Sequence, residues 1–180
     1  RCEIDVQNDE TKIVIEAEKA LMSIGVAGNI LGIGLEGLDI QTENGFIKID
    51  EQMRTSVPNI YAIGDVTGKL LLAHVAQAQG IIAAEVIAGL NHDELTYDFI
   101  PRSTYCEPQI SSFGYTEKEA LGRGYSIKIG RFPLTANAKA LAMGGDAGMV
   151  KVIVNKKNKN ILGAHIIGPE ATEIITELIT

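Results

Sequence analysis

The stretch T-S-V-P-N-I-Y-A-I-G-D-V-T-G-K-L-L-L-A-H-V-A-Q-A-Q-G, Thr55 to Gly80, constrains the fold more than any other part of the chain. Ile60 to Ile63 is a short apolar run between Pro58-Asn59 and Gly64-Asp65. Turn residues on both flanks predict a buried strand that stops abruptly. From about Leu71 to Leu90 the chain is rich in Ala, Ile, Leu and Val, which predicts a largely buried helix. Strand, loop and helix in this order put Asp65 at the carboxyl end of the strand, where open α/β sheets receive their ligands. Gly64 has no Cβ, so a ligand or another backbone can approach closely there. The first turn of the helix offers unpaired N–H groups and a partial positive charge beside Asp65.

With 180 residues, 46% of them hydrophobic, the chain can bury a core and hold one ordinary domain or parts of two. A formal charge of −7 and the lack of any Lys/Arg cluster exclude a nucleic-acid partner. No apolar run reaches the roughly 18 residues of a membrane span, and no signal-peptide pattern opens the chain. Cys2 and Cys106 lie far apart, with no C-x-x-C or metal-ligand spacing. Each is expected as a reduced, partly buried thiol, which suits the cytoplasm.

The remainder divides in two. Cys2 to Val6 and Lys12 to Ile15 predict a hairpin, and Glu18 to Gly25 an apolar strand closed by glycine. Gly32-x-Gly34-x-x-Gly37 has the spacing of a dinucleotide fingerprint, but no helix-forming run follows it, so it is a connector. Asn44-Gly45 is a turn, with Phe46, Ile47 and Ile49 in a short strand behind it. The polar segment Asn91 to Asp98 marks a domain boundary. Beyond it, Arg102 to Tyr105, Gln109 to Gly114, Tyr125 to Phe132, Gly148 to Asn155 and Ile161 to Ile167 predict strands, the last two as an antiparallel hairpin. Thr116-x-x-Glu119 has capping-box spacing and predicts a short helix ended by Gly122 and Gly124. Gly144-Gly145-Asp146 lacks a phosphate-loop lysine and is expected as a loop. A last helix follows Gly168-Pro169-Glu170, with an apolar face of Ile174, Ile175, Leu178 and Ile179.

The G-D-V-T-G…L-L-A-H segment resembles the second flavin-binding motif of the flavoprotein disulfide reductases. Three later phrases are similar to that family's interface domain. They are S-T-Y-C-E-P-Q-I-S-S-F-G from Ser103, F-P-L-T-A-N-A-K-A-L from Phe132 and G-A-H-I-I-G-P-E-A from Gly163. The resemblance implies a mixed fold, α/β then α+β. The end of a dinucleotide-binding region (1–26) is followed by a flavin-side segment (27–96) and an α+β interface, or dimerisation, domain (97–180) with helices on one side of its sheet. It assigns Asp65, with Gly64 before it, to a ribityl hydroxyl of FAD. The backbone at Leu71, Leu72, Ala73 and His74 faces the pyrimidine edge of the flavin, where a helix N-terminus stabilises negative charge on the reduced ring. It puts Gly25 beside the nicotinamide of NAD, although Val26 to Asn29 (V-A-G-N) departs from the family's usual G-R-x-P-N.

L-A-H after the G-D motif points to the branch that reoxidises dihydrolipoyl groups and reduces NAD. The implied partners are a second copy of the chain, through the C-terminal domain, and the lipoyl domains of 2-oxo acid dehydrogenase complexes. Three family parts are absent from these residues: the N-terminal G-x-G-x-x-G, the redox pair C-x-x-x-x-C, and H-P-x-x-x-E after the last helix. This stretch alone is therefore expected to be inactive and to hold neither FAD nor NAD tightly. Tyr105, Glu107, Pro108 and Phe113 are expected to pack, and His92 and His165 to be structural. The alternatives are a cofactor-free dimerisation module, or part of a glutathione or mercuric reductase.

Overall fold

The computed structural model describes residues 2–7, 12–144 and 148–179, so Gly145 and Asp146 of the expected loop lie outside the described residues. The expected hairpin is present as β1 (Cys2–Gln7) and β2 (Lys12–Ala17), antiparallel from Cys2↔Ala17 to Gln7↔Lys12. The strand expected at Glu18 to Gly25 is not formed. Leu21, Met22 and Ile24 stand 91%, 80% and 89% exposed. The apolar character is there, but among the described residues no strand runs alongside to take its backbone bonds. No helix opens after Gly37 either, only a 3-10 turn over Leu35–Gly37, as expected of a connector.

β3 (Thr42–Glu43) and β4 (Phe46–Ile47) form a minimal hairpin; Asn44 and Gly45 both take positive φ, 52° and 80°, the two-residue turn that matches strand twist. Ile49 lies beyond this strand. The run Ile60 to Ile63 shortens to one bridge between Tyr61 and Arg54, and Ile63 is 41% exposed. A buried strand needs neighbours on both edges, and among the described residues this segment pairs on one edge, with Met53 to Thr55. The helix α1 (Ala73–Ile87) forms within the expected range, but only one face is buried, through Val75, Gln79, Ile82 and Ala83. Ile82 and Ala83 close on Met53, with Ile49, Tyr61, Val86 and Leu95 around them. Leu95 belongs to the polar linker, which is thereby packed down instead of hanging free.

The second half is built on a five-stranded antiparallel sheet. Its strands are β5 (Arg102–Thr104), β6 (Ile110–Gly114), β7 (Ile127–Pro133), β8 (Met149–Asn155) and β9 (Ile161–Ile167), in the order β5-β6-β9-β8-β7. Between them lie α2 (Glu117–Gly122) and α3 (Ala138–Ala142), and α4 (Ala171–Ile174) comes last. The short α3 was not expected; Asn137 caps it by accepting from the Ala140 amide at 3.0 Å. The capping box of α2 is complete, with the Thr116 amide donating to Glu119 Oε2 at 2.7 Å and the Glu119 amide to Thr116 Oγ1 at 3.3 Å.

The two helices flanking the sheet do not share a side. Ala171 of α4 and Ile175 just after it close on Phe113, Ala164 and Ile166. On the opposite face, Glu117 of α2 reaches Lys151 (2.8 Å) and Arg131 (3.2 Å), whose alternation places them away from Val150 and Val152. Ala120 of α2 packs with Tyr115, Ile153 and Leu162. The chain crosses to that face where Tyr115 runs over Gly163; a Cβ on Gly163 would collide with the Tyr115 carbonyl oxygen. After Ile174 the last helix tightens into a 3-10 turn over Ile175–Leu178, with Ile175 buried while Ile174 and Ile179 are exposed.

Candidate functional site

Gly64 to Thr67 form a 3-10 turn directly before α1. Gly64 sits at φ 76°, and a Cβ there would lie 3.3 Å from Ala76 Cβ, so turn and helix touch. Both polar groups of its peptide are engaged by side chains. Its N–H donates to Gln79 Oε1 at 2.6 Å, and its carbonyl accepts from Thr67 Oγ1 at 2.8 Å. The Gly68 amide closes the turn on the Asp65 carbonyl at 3.1 Å. Asp65 therefore has a fixed backbone, while its side chain is exposed and has no hydrogen-bond partner among the described residues.

The helix beside it begins without a side-chain cap, because Leu72 occupies the N-cap position. The Val75 and Ala76 amides bond back to the Leu72 carbonyl at 3.0 and 3.1 Å. Those of Ala73 and His74 have no carbonyl four residues back within the helix. Leu71, Ala73 and His74 are exposed. His74 Nε2 lies 3.0 Å from the Pro101 carbonyl, which can only accept, so that nitrogen carries the proton. The imidazole thus ties the helix start to the entry of β5.

The turn and the helix start form one packed unit, bringing Gly64, Asp65 and Leu71 to His74 together. A free carboxylate acceptor beside uncapped amides fits a ligand with a hydroxyl on one part and an electron-rich ring edge on another. Gly25 is not part of this unit: it lies in the exposed stretch after β2, at φ 124°, with nothing within 4 Å of a Cβ placed there. Gln79, Thr67 and Tyr97 are the functional candidates that sequence reasoning missed. Gln79 is fully buried, and its Nε2 donates to Tyr97 Oη at 2.9 Å. Its signal in the sequence is an amide side chain inside an Ala- and Ile-rich helix, where a buried polar group needs partners.

Cys106 is exposed, not partly buried, with Sγ 3.1 Å from the Pro108 carbonyl. The side chain of Cys2 lies outside the described set. Phe113 packs as expected, at 4% exposure, but Tyr105 is 82% exposed. His165 Nε2 donates to the Tyr115 carbonyl at 3.2 Å, a structural use. Among the described residues no group of three His, Cys, Asp or Glu could hold a metal, and no helix is long and apolar enough to cross a membrane.

Fold and site together define a class: a mixed α/β segment with an exposed carboxylate next to an uncapped helix start, joined to a five-stranded antiparallel sheet. The family model described as pyridine nucleotide-disulphide oxidoreductase matches residues 2–80, and that for the family's dimerisation domain matches residues 100–180. The chain belongs to the pyridine nucleotide-disulphide oxidoreductases. Among its relatives, a dihydrolipoyl dehydrogenase of Bacillus subtilis is 47% identical over 174 residues, covering 97% of this chain and 37% of that protein. A dihydrolipoyl dehydrogenase of Mycobacterium leprae is 47% identical over 166 residues, covering 91% and 36%. The solved structure of LpdA from Mycobacterium tuberculosis superposes with a TM-score of 0.85 at 29% identity, over 93% of this chain and 37% of that one. The flavoprotein disulfide reductase RclA from Escherichia coli gives 0.82 at 25% identity, over 98% and 41%. The chain thus spans under two fifths of the length of these curated relatives, and the family resemblance and mixed fold class are borne out.

Proposed function

We propose that these residues are the flavin-contacting and dimerisation portion of a dihydrolipoyl dehydrogenase, the FAD-dependent enzyme that reoxidises dihydrolipoyl groups of 2-oxo acid dehydrogenase complexes and reduces NAD. One observation carries the reading. The Gly64–Thr67 turn is locked onto α1, leaving the Asp65 carboxylate free beside an uncapped helix start. FAD supplies the redox chemistry when bound. Asp65 accepts from a ribityl hydroxyl, and the Leu71 to His74 backbone faces the pyrimidine edge. Gly25 lies on the nicotinamide side, where NAD approaches. The proposed divisions are 1–26, 27–96 and 97–180, the last forming a homodimer, and the proposed compartment is the cytoplasm. These residues by themselves are inactive, because no C-x-x-x-x-C stands among them to exchange electrons with a dithiol.

The test exchanges this chain for the 174 matched residues of the Bacillus subtilis enzyme and measures bound flavin and dihydrolipoamide-dependent NAD reduction. Retained flavin and activity, both reduced by Asp65→Ala, support the proposal. A folded dimeric chimera whose flavin content ignores Asp65→Ala overturns the ribityl assignment.

A further inference from the structure

We propose that Gln79 is the positioning residue of the site, and that through Tyr97 it links the Gly64–Asp65 turn to the antiparallel sheet. The argument starts from satisfaction. Gln79 is 0% exposed on an otherwise apolar helix face, where a stray carboxamide is costly unless every group is used. Its oxygen takes the Gly64 N–H at 2.6 Å, and its nitrogen donates to Tyr97 Oη at 2.9 Å. That assignment is directional: a backbone N–H can only donate, so the amide oxygen must face Gly64 and the NH2 must face the phenol. Ala76, which the Gly64 Cα approaches, lies one turn before Gln79 on the same side of α1. Two points on one helix face therefore pin the turn, and the distance from Asp65 to the helix start is set by Gln79.

The far end of the link is equally anchored. Tyr97 belongs to a 3-10 turn, Tyr97–Phe99, whose next two residues dock on the sheet domain. Asp98 accepts from Tyr115 Oη at 3.0 Å and pairs with Arg123 at 3.3 Å, and Arg123 lies 4.3 Å over the Tyr115 ring. Phe99 packs edge-on against Tyr115, 5.4 Å between centroids, and touches both sheet clusters. Hydrogen bonds and packing thus run without a gap from Gly64 through Gln79 and Tyr97 to Tyr115. The position of the sheet is one of the terms that set the turn.

What the turn presents rests on the flavin reading above; how it is held does not. The experiment is amide hydrogen exchange by NMR on the full chain, with bound flavin measured in the chimera described above. Gln79→Met keeps side-chain bulk and removes the acceptor. It should speed Gly64 amide exchange about tenfold, the effect of one lost buried hydrogen bond, while the β8 and β9 amides keep their protection. Gln79→Glu keeps an acceptor and should restore most of that protection, which a merely space-filling role would not. Tyr97→Phe should move Gly64 in the same direction as Gln79→Met but less. Unchanged Gly64 exchange in Gln79→Met overturns the positioning role, and unchanged exchange in Tyr97→Phe overturns the link to the sheet. In the flavin arm, the flavin content of that chimera should fall with both Asp65→Asn and Gln79→Met. If it falls with neither, the flavin reading fails while the Gly64 exchange still decides the role of Gln79.

Discussion

Replacing Ile153 by alanine tests whether the sheet is held by the β8–β9–α2 junction. Ile153 is 0% exposed and packs with Tyr115, Ala120 and Leu162. The substitution removes three carbons, and at ~0.8 kcal/mol per buried methylene the transfer loss is roughly 2.4 kcal/mol. The void adds to this in proportion to how little the surroundings collapse. Collapse is poor here. The cross-strand neighbour of Ile153 on β9 is Gly163, which has no side chain to swing in, and Tyr115 is held over that strand by its N–H bond to the Leu162 carbonyl at 2.8 Å. A total of about 3–4 kcal/mol follows. For a unit the size of residues 97–180 this lowers Tm by roughly 15–25 °C. Circular dichroism during urea and thermal unfolding measures it, with Ile153→Val expected to lose only about 1 kcal/mol. A loss under about 1 kcal/mol for the alanine variant would refute the claim that this junction is closely packed and unable to relax.

Other substitutions probe the same frame. Gly163→Ala should prevent Tyr115 from crossing the sheet, giving a chain whose near-ultraviolet dichroism is lost; an unchanged spectrum and Tm would contradict the close approach. Asp98→Ala removes the acceptor shared by Tyr115 and Arg123, and because the carboxylate is 42% exposed the loss should be about 1 kcal/mol in the same assays. Acid should weaken the fold through α2. The Glu117 carboxyl is held below its ordinary range by its hydrogen bond from Lys151, and Glu119 by the Thr116 hydroxyl and then the Thr116 amide. Since both are lowered in the folded state, their stabilisation is complete above the ordinary carboxylate range and is lost as pH falls through the folded values. The unfolding midpoint should drop over that acidic window, and Glu117→Gln with Glu119→Gln should flatten the drop; an equal acid slope in the double variant rules the mechanism out.

What could be read in advance follows which structure is made locally. β9 spans the expected Ile161 to Ile167, and the α2 cap stands on Thr116 and Glu119 as their spacing requires. These depend on alternation and on contacts three residues apart, both written in the chain itself. Glu18 to Gly25 and Ile60 to Ile63 have the apolar content of strands and still fail to become them, because a strand is defined by its neighbours. The same limit hid the helix placement: nothing local tells α2 and α4 to take opposite faces, which is decided where Tyr115 passes over Gly163. In the site, Asp65 and the helix start were legible from punctuation around an apolar run. Gln79 was not, since its role depends on Gly64 fifteen residues earlier and Tyr97 eighteen residues later.

The strand order carries a consequence for how the chain is made. β9 lies in the middle of its sheet, between β6 and β8, yet it is the last of that sheet's five strands to leave the ribosome. Until Ile167 has emerged, β5–β6 and β7–β8 can exist only as two separate ribbons, each with a raw edge facing the slot that β9 will fill. The nascent polypeptide therefore waits for its own keystone, and any stall between Asn155 and Ile161 lengthens the time those edges are open to a stranger.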